Sequence, residues 1–189
     1  MDRSLMLTHG WLLVALSALL TAPSLTGILL PPPDPLLDAA ENHAFLATQL
    51  ATLLAGILML AFSRGSAPIR ITIRDGFLIA ASSWIVVGIF SALPFWLSGV
   101  IPDPVDALFE SVSGLTTTGA SVITDLTVVP NGLMLWRALT QWLGGIGIVV
   151  LFVAALPLVA EGSHNLFRAE VPGGANFAKV TPRVRETAR

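Results

Sequence analysis

Four long segments of this chain carry almost no charge, and each is long enough to cross a lipid bilayer. They cover residues 11–30, 44–62, 76–97 and 133–160, and Arg137 is the one charged residue within them. About 20 residues of helix, at roughly 1.5 Å each, span the hydrocarbon core of a bilayer. Only 12% of the residues are charged, whereas an ordinary soluble domain has about 25%. The sequence therefore predicts an all-α membrane protein.

The first apolar segment has a second interpretation, because Arg3 ahead of an apolar run is also typical of a signal peptide. The run continues past Ala22 without a small-residue cleavage motif, which favours a retained helix. Pro23 lacks a backbone N–H, so we expect it to kink this helix and leave a carbonyl for other helices or water to satisfy.

Positive charges predict the orientation of the chain in the membrane. The segments 63–75 and 161–189 are basic, whereas 31–43 and 98–131 contain no Lys or Arg. Because positive loops stay in the cytoplasm, both basic segments and the N-terminus are expected on the cytoplasmic side. Four helices of alternating direction satisfy all of these assignments together.

A short helix is predicted between the third and fourth apolar segments. Asp103 followed by Pro104 is typical of a helix start, with a capping side chain before proline at the first helical position. Apolar residues then recur at helical spacing, at Val105, Leu108, Phe109, Val112 and Leu115. About ten residues reach only about 15 Å, half a bilayer. The chain must therefore lie on the surface or enter the membrane and return on the same side.

The sequence TTTGAS after this helix favours re-entry. Its side chains are no larger than threonine, and Gly119 permits positive φ, which lets successive carbonyls point the same way. Aligned carbonyls can replace the water shell of a monovalent cation, and threonine hydroxyls add oxygen ligands. A helix ending near the membrane centre also directs its negative dipole end toward a cation. Such runs are commonly plain loops, and the position between two spanning helices is what favours an ion filter.

Acidic residues near this segment have more than one interpretation. Glu110 either supports the filter from behind, or draws cations to the outer mouth, or is a solvated carboxylate. Asp103, Asp106 and Asp125 either add an attractive outer field or, more simply, serve as caps and loop residues.

Polar and small residues in the fourth segment are also open to two interpretations. Arg137 is expected to reach the outer interface or to pair with an acidic loop residue, and alternatively tunes ion entry. Three glycines near the middle of the segment suit close packing or a bend, at Gly144, Gly145 and Gly147.

Other functional classes find little support. An intramembrane serine protease needs a buried histidine base, but His9, His43 and His164 fall at or beyond helix ends, and no H-E-x-x-H motif is present. The chain has no cysteine, which excludes thiolate chemistry, and no basic patch that would suggest nucleic acid. An enzyme is therefore not expected. A purely structural membrane subunit is the stronger alternative.

The sequence resembles a known family of transporters. The segments DALFESVSGLTTTGASV, WRALTQWLGGIGIVVL, LFRAEVPG and KVTPRVRET are similar to those of the Trk/Ktr/HKT superfamily of potassium transporters, most of all to its bacterial Trk-type uptake subunits. The resemblance implies four helix–pore-loop–helix repeats in one chain, preceded by two extra helices. It also implies a pore-forming dimer in the bacterial inner membrane, gated by a cytosolic nucleotide-binding ring, with no organic cofactor in this chain.

The resemblance assigns the parts of the chain and the filter residues. It implies a helix pair at 1–62, a cytoplasmic loop at 63–75, the first pore repeat at 76–160 and a cytoplasmic tail at 161–189. Filter ligands map onto Thr116, Thr117, Thr118 and Gly119, with potassium expected at Thr117 and Thr118 and with Glu110 and Ala120 as filter support. A glycine at Gly119 goes with potassium selectivity in this family, and serine in the first repeat with sodium transport.

The length of the chain limits what it can do alone. One repeat of four supplies a quarter of a filter, so the remaining repeats or other copies of the chain are expected partners. The sequence predicts potassium uptake with this chain as one of four pore repeats. The alternative is a membrane fragment that conducts nothing and serves only as a structural or interaction subunit.

Overall fold

The computed structural model describes residues 3–30, 32, 34–64 and 72–170, with the side chains of Pro35, Ile73 and residues 151–170 left out. The helices are α1 (Arg3–Leu19), α2 (Thr21–Leu29), α3 (Pro35–Phe62), α4 (Ile73–Leu97), α5 (Pro104–Leu115) and α6 (Asn131–Glu170), with a 3₁₀ turn at Leu126–Val128. The chain forms two compact units, Met1–Ile148 and Val149–Arg189. In the second, the described part is helical as far as Glu170.

The described residues contain helices and no strand, as the sequence predicted. Four stretches are long and apolar enough to cross a membrane, at Arg3–Leu29, Leu36–Phe62, Arg74–Leu97 and Asn131–Val150. The first of them consists of α1 and α2 together. The prediction of an all-α membrane protein is confirmed.

The first spanning segment is interrupted close to its proline. The helix starts at Arg3 rather than at the predicted residue 11, and it breaks at Leu20 before resuming as α2. Pro23 has no N–H for the carbonyl of Leu19, four residues earlier, so the regular ladder cannot continue through this point. The hydroxyl of Thr21 donates to the carbonyl of Ala18 at 2.6 Å, which satisfies part of the broken turn from within the same segment.

Helices α3 and α4 begin earlier than hydropathy alone predicts, because capping residues lie ahead of the apolar runs. Asp34 accepts a hydrogen bond from the backbone N–H of Leu36 at 2.9 Å, and α3 starts at Pro35 rather than at residue 44. Thr72 and Asp75 form a capping box, which places the start of α4 three residues before the predicted one. Both helices therefore begin at capping residues ahead of their apolar runs.

Close backbone contacts join α1 to α3. A Cβ on Gly56 would lie 2.9 Å from the carbonyl oxygen of Gly10, so small residues let the two helices approach. The guanidinium of Arg3, at the start of α1, donates to the carbonyl of Ser63, just after the end of α3, at 2.6 Å. The helices therefore run antiparallel.

The core lies where α1, α3, α4 and α6 meet. Trp136 of α6 is fully buried and donates its indole N–H to the carbonyl of Ser91 in α4 at 2.9 Å. Its largest apolar neighbours in the core are Leu13, Leu16, Leu20, Phe45, Phe95 and Leu133. This packing holds the start of α6 against the later half of α4. Helix α6 begins two residues before the predicted residue 133 and continues past residue 160 to Glu170, and the remaining predicted tail, 171–189, lies outside the described residues.

Candidate functional site

The short helix predicted from the sequence is α5. The carboxylate of Asp103 accepts hydrogen bonds from the backbone N–H groups of Val105 at 2.7 Å and Asp106 at 3.3 Å, and Pro104 is the first helical residue. The helix has 12 residues, which reach about 18 Å at about 1.5 Å per residue. It is therefore too short to span a bilayer, as predicted.

Helix α5 lies along α4 and α6 rather than on one end of the bundle. The buried hydroxyl of Ser111 donates to the carbonyl of Gly88, well inside α4, at 2.9 Å. At the far end of α5, a Cβ on Gly144 would overlap the carbonyl of Leu115. Gly144 lies about 20 Å along α6 from Asn131, at about 1.5 Å per residue. The segment thus descends beside the two helices and returns to the start of α6, which favours re-entry over a surface position.

The Thr116–Gly119 turn is held by the last turn of α5. Backbone N–H groups of Thr117 and Thr118 donate to the carbonyls of Gly114 and Ser113, each at 2.9 Å. The hydroxyl of Ser113 also donates to the carbonyl of Ala120 at 2.5 Å. Ser113 therefore binds the chain both before and after Gly119. Sequence reasoning missed it, although a hydroxyl one turn before the threonine run is a signal that could have identified it.

Two residues of the turn have left-handed backbone angles. Gly119 has a φ of 77°, in line with the expectation that this glycine allows a positive φ. Thr117 has a φ of 57°, which a β-branched residue rarely adopts. Thr118 between them has no positive φ. Positive φ therefore occurs at two alternate residues of the turn, Thr117 and Gly119.

The predicted filter residues are exposed at the end of α5. Thr116, Thr117, Thr118, Gly119 and Ala120 are all solvent-accessible in the isolated chain. The hydroxyl of Thr116 donates to the carbonyl of Val112 at 2.8 Å and lies 2.8 Å from the hydroxyl of Thr118. Oxygen atoms thus gather on one open side of the turn. The described residues contain no group of His, Cys, Asp or Glu that could hold a metal ion, and potassium at Thr117 and Thr118 stays a prediction.

Glu110 is buried behind the turn, so it is not the solvated carboxylate that the sequence left open. It is 2% exposed. Its carboxylate accepts hydrogen bonds from the hydroxyl of Ser121, at 2.9 and 3.0 Å to the two oxygens, and from the backbone N–H of Val122 at 3.0 Å. It also accepts a hydrogen bond from the guanidinium Nε of Arg137 at 2.7 Å. One carboxylate therefore joins α5, the chain returning from the turn, and α6.

Arg137 of α6 pairs with Glu110 of α5, an acidic residue of the segment between α4 and α6, in line with the expectation of an acidic partner. Its side chain is 19% exposed, and that of Glu110 is 1% exposed. Removing one partner of a buried pair typically costs about 3–5 kcal/mol, because the remaining charge is left without compensation. Glu110 is the more deeply buried partner, so its charge is the one that most requires the pair.

The other acidic residues of this region include two caps. Asp103 caps α5, and Asp125 accepts from the hydroxyl of Thr127 at 2.6 Å and from its backbone N–H at 2.9 Å. These two bonds, the side-chain one first, hold the pKa of Asp125 below its usual value. Both carboxylates satisfy local backbone groups, which agrees with the simpler interpretation of them as caps and loop residues.

The three glycines of α6 differ in what surrounds them. Gly144 is the point of closest approach to α5, where a side chain has no room. A Cβ on Gly145 would lie 3.9 Å from the methyl carbon of Thr117, and one on Gly147 would lie 3.6 Å from the Trp84 ring, both ordinary contacts. Close packing of α6 against α5 therefore depends on Gly144.

Comparison with known protein families gives one match over most of the chain. The family described as "TrkH: Cation transport protein" matches residues 42–189. This range contains α4, α5, the Thr116–Gly119 turn and α6. It is a family of transport proteins and not of enzymes, in agreement with the sequence analysis.

Several curated relatives are Trk system potassium uptake proteins named TrkH. That of Halomonas elongata is 53% identical over 117 residues, which cover 61% of this chain and 24% of the relative. That of Vibrio parahaemolyticus is 39% identical over 188 residues, 99% of this chain and 37% of the relative. That of Escherichia coli is 46% identical over 117 residues. The chain spans about a quarter to a third of these proteins' length.

A solved structure shares the fold. The crystal structure of the potassium transporter TrkH from Vibrio parahaemolyticus matches with a TM-score of 0.73 and 34% sequence identity. The match covers 99% of this chain and 35% of the transporter.

Proposed function

This chain belongs to the TrkH family of cation transport proteins, and we propose that it supplies one of four filter-forming pore repeats for potassium uptake across the membrane. The observation that carries the proposal is the turn at Thr116–Gly119, where φ is 57° at Thr117 and 77° at Gly119. The turn stands at the end of a half-length helix about 20 Å along α6, near the middle of a spanning helix. The names of the relatives, which refer to potassium uptake, support potassium as the ion.

The chemistry of the turn suits a partly dehydrated monovalent cation. Carbonyl and hydroxyl oxygens replace water ligands without adding a fixed charge, so the ion binds weakly enough to leave again. The C-terminal end of α5 contributes its partial negative charge at the same place. In this proposal the ion is held at Thr117 and Thr118, with Glu110 and Ala120 supporting the backbone from behind.

A single turn cannot surround an ion, and its exposed side is where other repeats would stand. Thr116, Thr117, Thr118 and Gly119 are exposed, while Glu110 on the opposite side is buried. In the proposed assembly, three further repeats complete the ring of oxygen ligands. The full-length protein is a homodimer with a cytosolic nucleotide-binding regulatory subunit. It resides in the bacterial inner membrane with both ends of this chain in the cytoplasm, as the basic segments favour.

Substitution of Gly119 by Ser in the full-length transporter tests the filter. We expect the ratio of potassium to sodium uptake to fall at least several-fold, because serine strains the backbone angle that Gly119 adopts. Ion uptake into cells, measured at matched protein abundance, gives the ratio.

Gly99→Ser is the matched control for this substitution. Gly99 has a φ of 76°, close to that of Gly119, and a Cβ on either glycine meets nothing within 4 Å. Serine at residue 99 therefore introduces the same backbone strain away from the turn. An unchanged ratio in Gly119→Ser, or an equal change in Gly99→Ser, would contradict the filter assignment.

The chain by itself is tested by growth of cells that lack potassium uptake. Growth at low potassium with the 189-residue chain alone would show that copies of it can assemble a pathway. Growth with the full-length transporter but not with the chain alone is the expected result, since one repeat supplies a quarter of the ring. Failure of both would contradict the proposed function.

A further inference from the structure

Helix α6 begins without a capping side chain of its own. The residue before Asn131 is Pro130, and proline has no side-chain oxygen to accept the free N–H groups of a first helical turn. Serine, threonine, aspartate or asparagine normally occupies this position. The start of α6 is buried at Gly132 and Leu133, so water cannot readily replace the missing acceptor.

A carboxylate from α3 provides the acceptor. Glu41 is fully buried, and its Oε1 accepts the backbone N–H of Leu133 at 2.8 Å, across 92 residues of sequence. A second contact supports the first, because the side-chain amide of Asn131 donates to the carbonyl of Leu30 at 2.9 Å.

The space for this carboxylate depends on two glycines. A Cβ on Gly132 would lie 2.7 Å from Oε1 of Glu41 and 2.6 Å from the carbonyl oxygen of Pro23. A Cβ on Gly27 would lie 2.9 Å from Oε2 of Glu41. The carboxyl group therefore fills a slot between α2 and α6 that a side chain on either glycine would close. Within the described residues, its Oε2 has no hydrogen-bond partner, and its Oε1 accepts from the first turn of α6.

The capped turn leads directly to the residue behind the predicted filter. Arg137 lies one turn after Leu133, on the same helix face. Its Nε contacts Glu110 at 2.7 Å, and Glu110 in turn binds Ser121 and Val122 on the chain leaving the filter turn. A shift of the first turn of α6 would move Arg137 relative to α5.

We propose that Glu41 is a positioning residue, which caps α6 from the N-terminal helix pair and so sets the position of Arg137 and Glu110 behind the filter. The inference rests on the proposed function of Thr116–Gly119 in ion selection. It assigns the helix pair a part in the pore rather than only in membrane anchoring.

Hydrogen exchange in the full-length transporter tests the cap. Glu41→Ala is expected to raise amide exchange in residues 131–137 about tenfold, the scale of a lost helix cap, and to raise it also in residues 116–122. Glu41→Gln keeps an oxygen that accepts from Leu133 and should stay within about threefold of the native protein. Asp38→Ala is the control on the same helix, because the Asp38 side chain accepts a hydrogen bond from Asn42 within α3.

Two further measurements separate positioning from simple stability. At matched abundance, Glu41→Ala should lower the ratio of potassium to sodium uptake, while Asp38→Ala should not. Adding Pro130→Ser to Glu41→Ala supplies a local cap and should restore both the exchange and the uptake ratio.

Two outcomes would overturn the positioning role. The first is that Glu41→Ala speeds amide exchange only in residues 131–137 and leaves the uptake ratio unchanged. The second is that Pro130→Ser restores neither the exchange nor the uptake ratio, although Glu41→Gln behaves like the native protein. If Gly119→Ser leaves the uptake ratio unchanged, the proposed filter fails by a separate test. The exchange of residues 116–122 would then still decide whether Glu41 positions that segment.

Discussion

Thr117 adopts a backbone conformation that threonine rarely occupies, and it does so in the centre of the candidate filter. Its φ of 57° lies in the left-handed region, where a non-glycine residue stores about 1–3 kcal/mol of strain. The surrounding hydrogen bonds, which run from Thr117 and Thr118 to the last turn of α5, hold this conformation in place. Strain of this kind is common at functional sites.

Thr117→Gly should therefore be tolerated better than Thr118→Gly. Glycine relieves the strain at Thr117, so we expect the thermal unfolding temperature to stay equal or rise. At Thr118, which has no positive φ, glycine adds freedom to the unfolded chain, which costs about 0.5–1 kcal/mol, and also removes the hydroxyl that contacts Thr116. Thermal unfolding of the two variants in detergent gives the comparison. A larger loss in Thr117→Gly would contradict the assignment of strain.

Glu110 and Arg137 should respond unequally to neutralisation. Arg137→Gln leaves a carboxylate that is 1% exposed without its partner, whereas Glu110→Gln leaves a guanidinium that is 19% exposed. We expect a loss of about 3–5 kcal/mol for Arg137→Gln and a smaller loss for Glu110→Gln. The double variant should be more stable than Arg137→Gln alone, as a double-mutant cycle by thermal unfolding would show. Strictly additive losses would argue against the pair.

At the scale of elements, the position of α5 depends on close contacts with α6 and α4. Gly144 meets the carbonyl of Leu115, which is backbone and cannot move as a flexible side chain can. The half-length helix is also fixed by Ser111 on α4 and by Glu110 on α6. Three contacts along its length thus set how far it enters between the two helices.

Gly144→Ala should displace α5, and Gly145→Ala should not. The added methyl group overlaps backbone in the first variant and meets only a methyl carbon at 3.9 Å in the second. We expect a loss of at least about 1–3 kcal/mol for Gly144→Ala and no loss, or a gain of up to about 1 kcal/mol, for Gly145→Ala. Thermal unfolding and potassium uptake of the full-length transporter measure both. Equal behaviour of the two variants would contradict the close approach.

At the scale of the whole molecule, the four membrane-length stretches and the half-length helix form one arrangement. Helix α3 caps α6, α5 packs against α4 and α6, and α1 packs antiparallel to α3. The side of the membrane on which each loop lies follows from the distribution of Lys and Arg. That orientation is a prediction of the sequence analysis.

Reporter fusions would test the orientation. A reporter attached after Arg64 should lie on the cytoplasmic side. A reporter attached after Val128 should lie on the outer side, because the segment 98–131 contains no Lys or Arg. An alkaline phosphatase and a fluorescent protein, which are active on opposite sides of the membrane, serve as mutual controls. The reverse pattern would show that the positive charges do not set the topology.

The sequence by itself determined the helical membrane class, the four spanning stretches, and the start of α5 at Asp103 and Pro104. These features depend on local composition and on capping residues next to the helices they cap. The tertiary structure alone decided that Glu110 is buried against Arg137, that Thr117 shares the left-handed backbone of Gly119, and that Glu41 caps α6. Two of these, the Glu110–Arg137 pair and the Glu41 cap, depend on contacts between residues distant in sequence, which hydropathy and spacing do not predict. The third is a backbone angle that threonine rarely adopts, so residue type does not predict it. The turn at Thr116–Gly119 shows the division: its residues are local, while the groups that hold it come from α5 and α6.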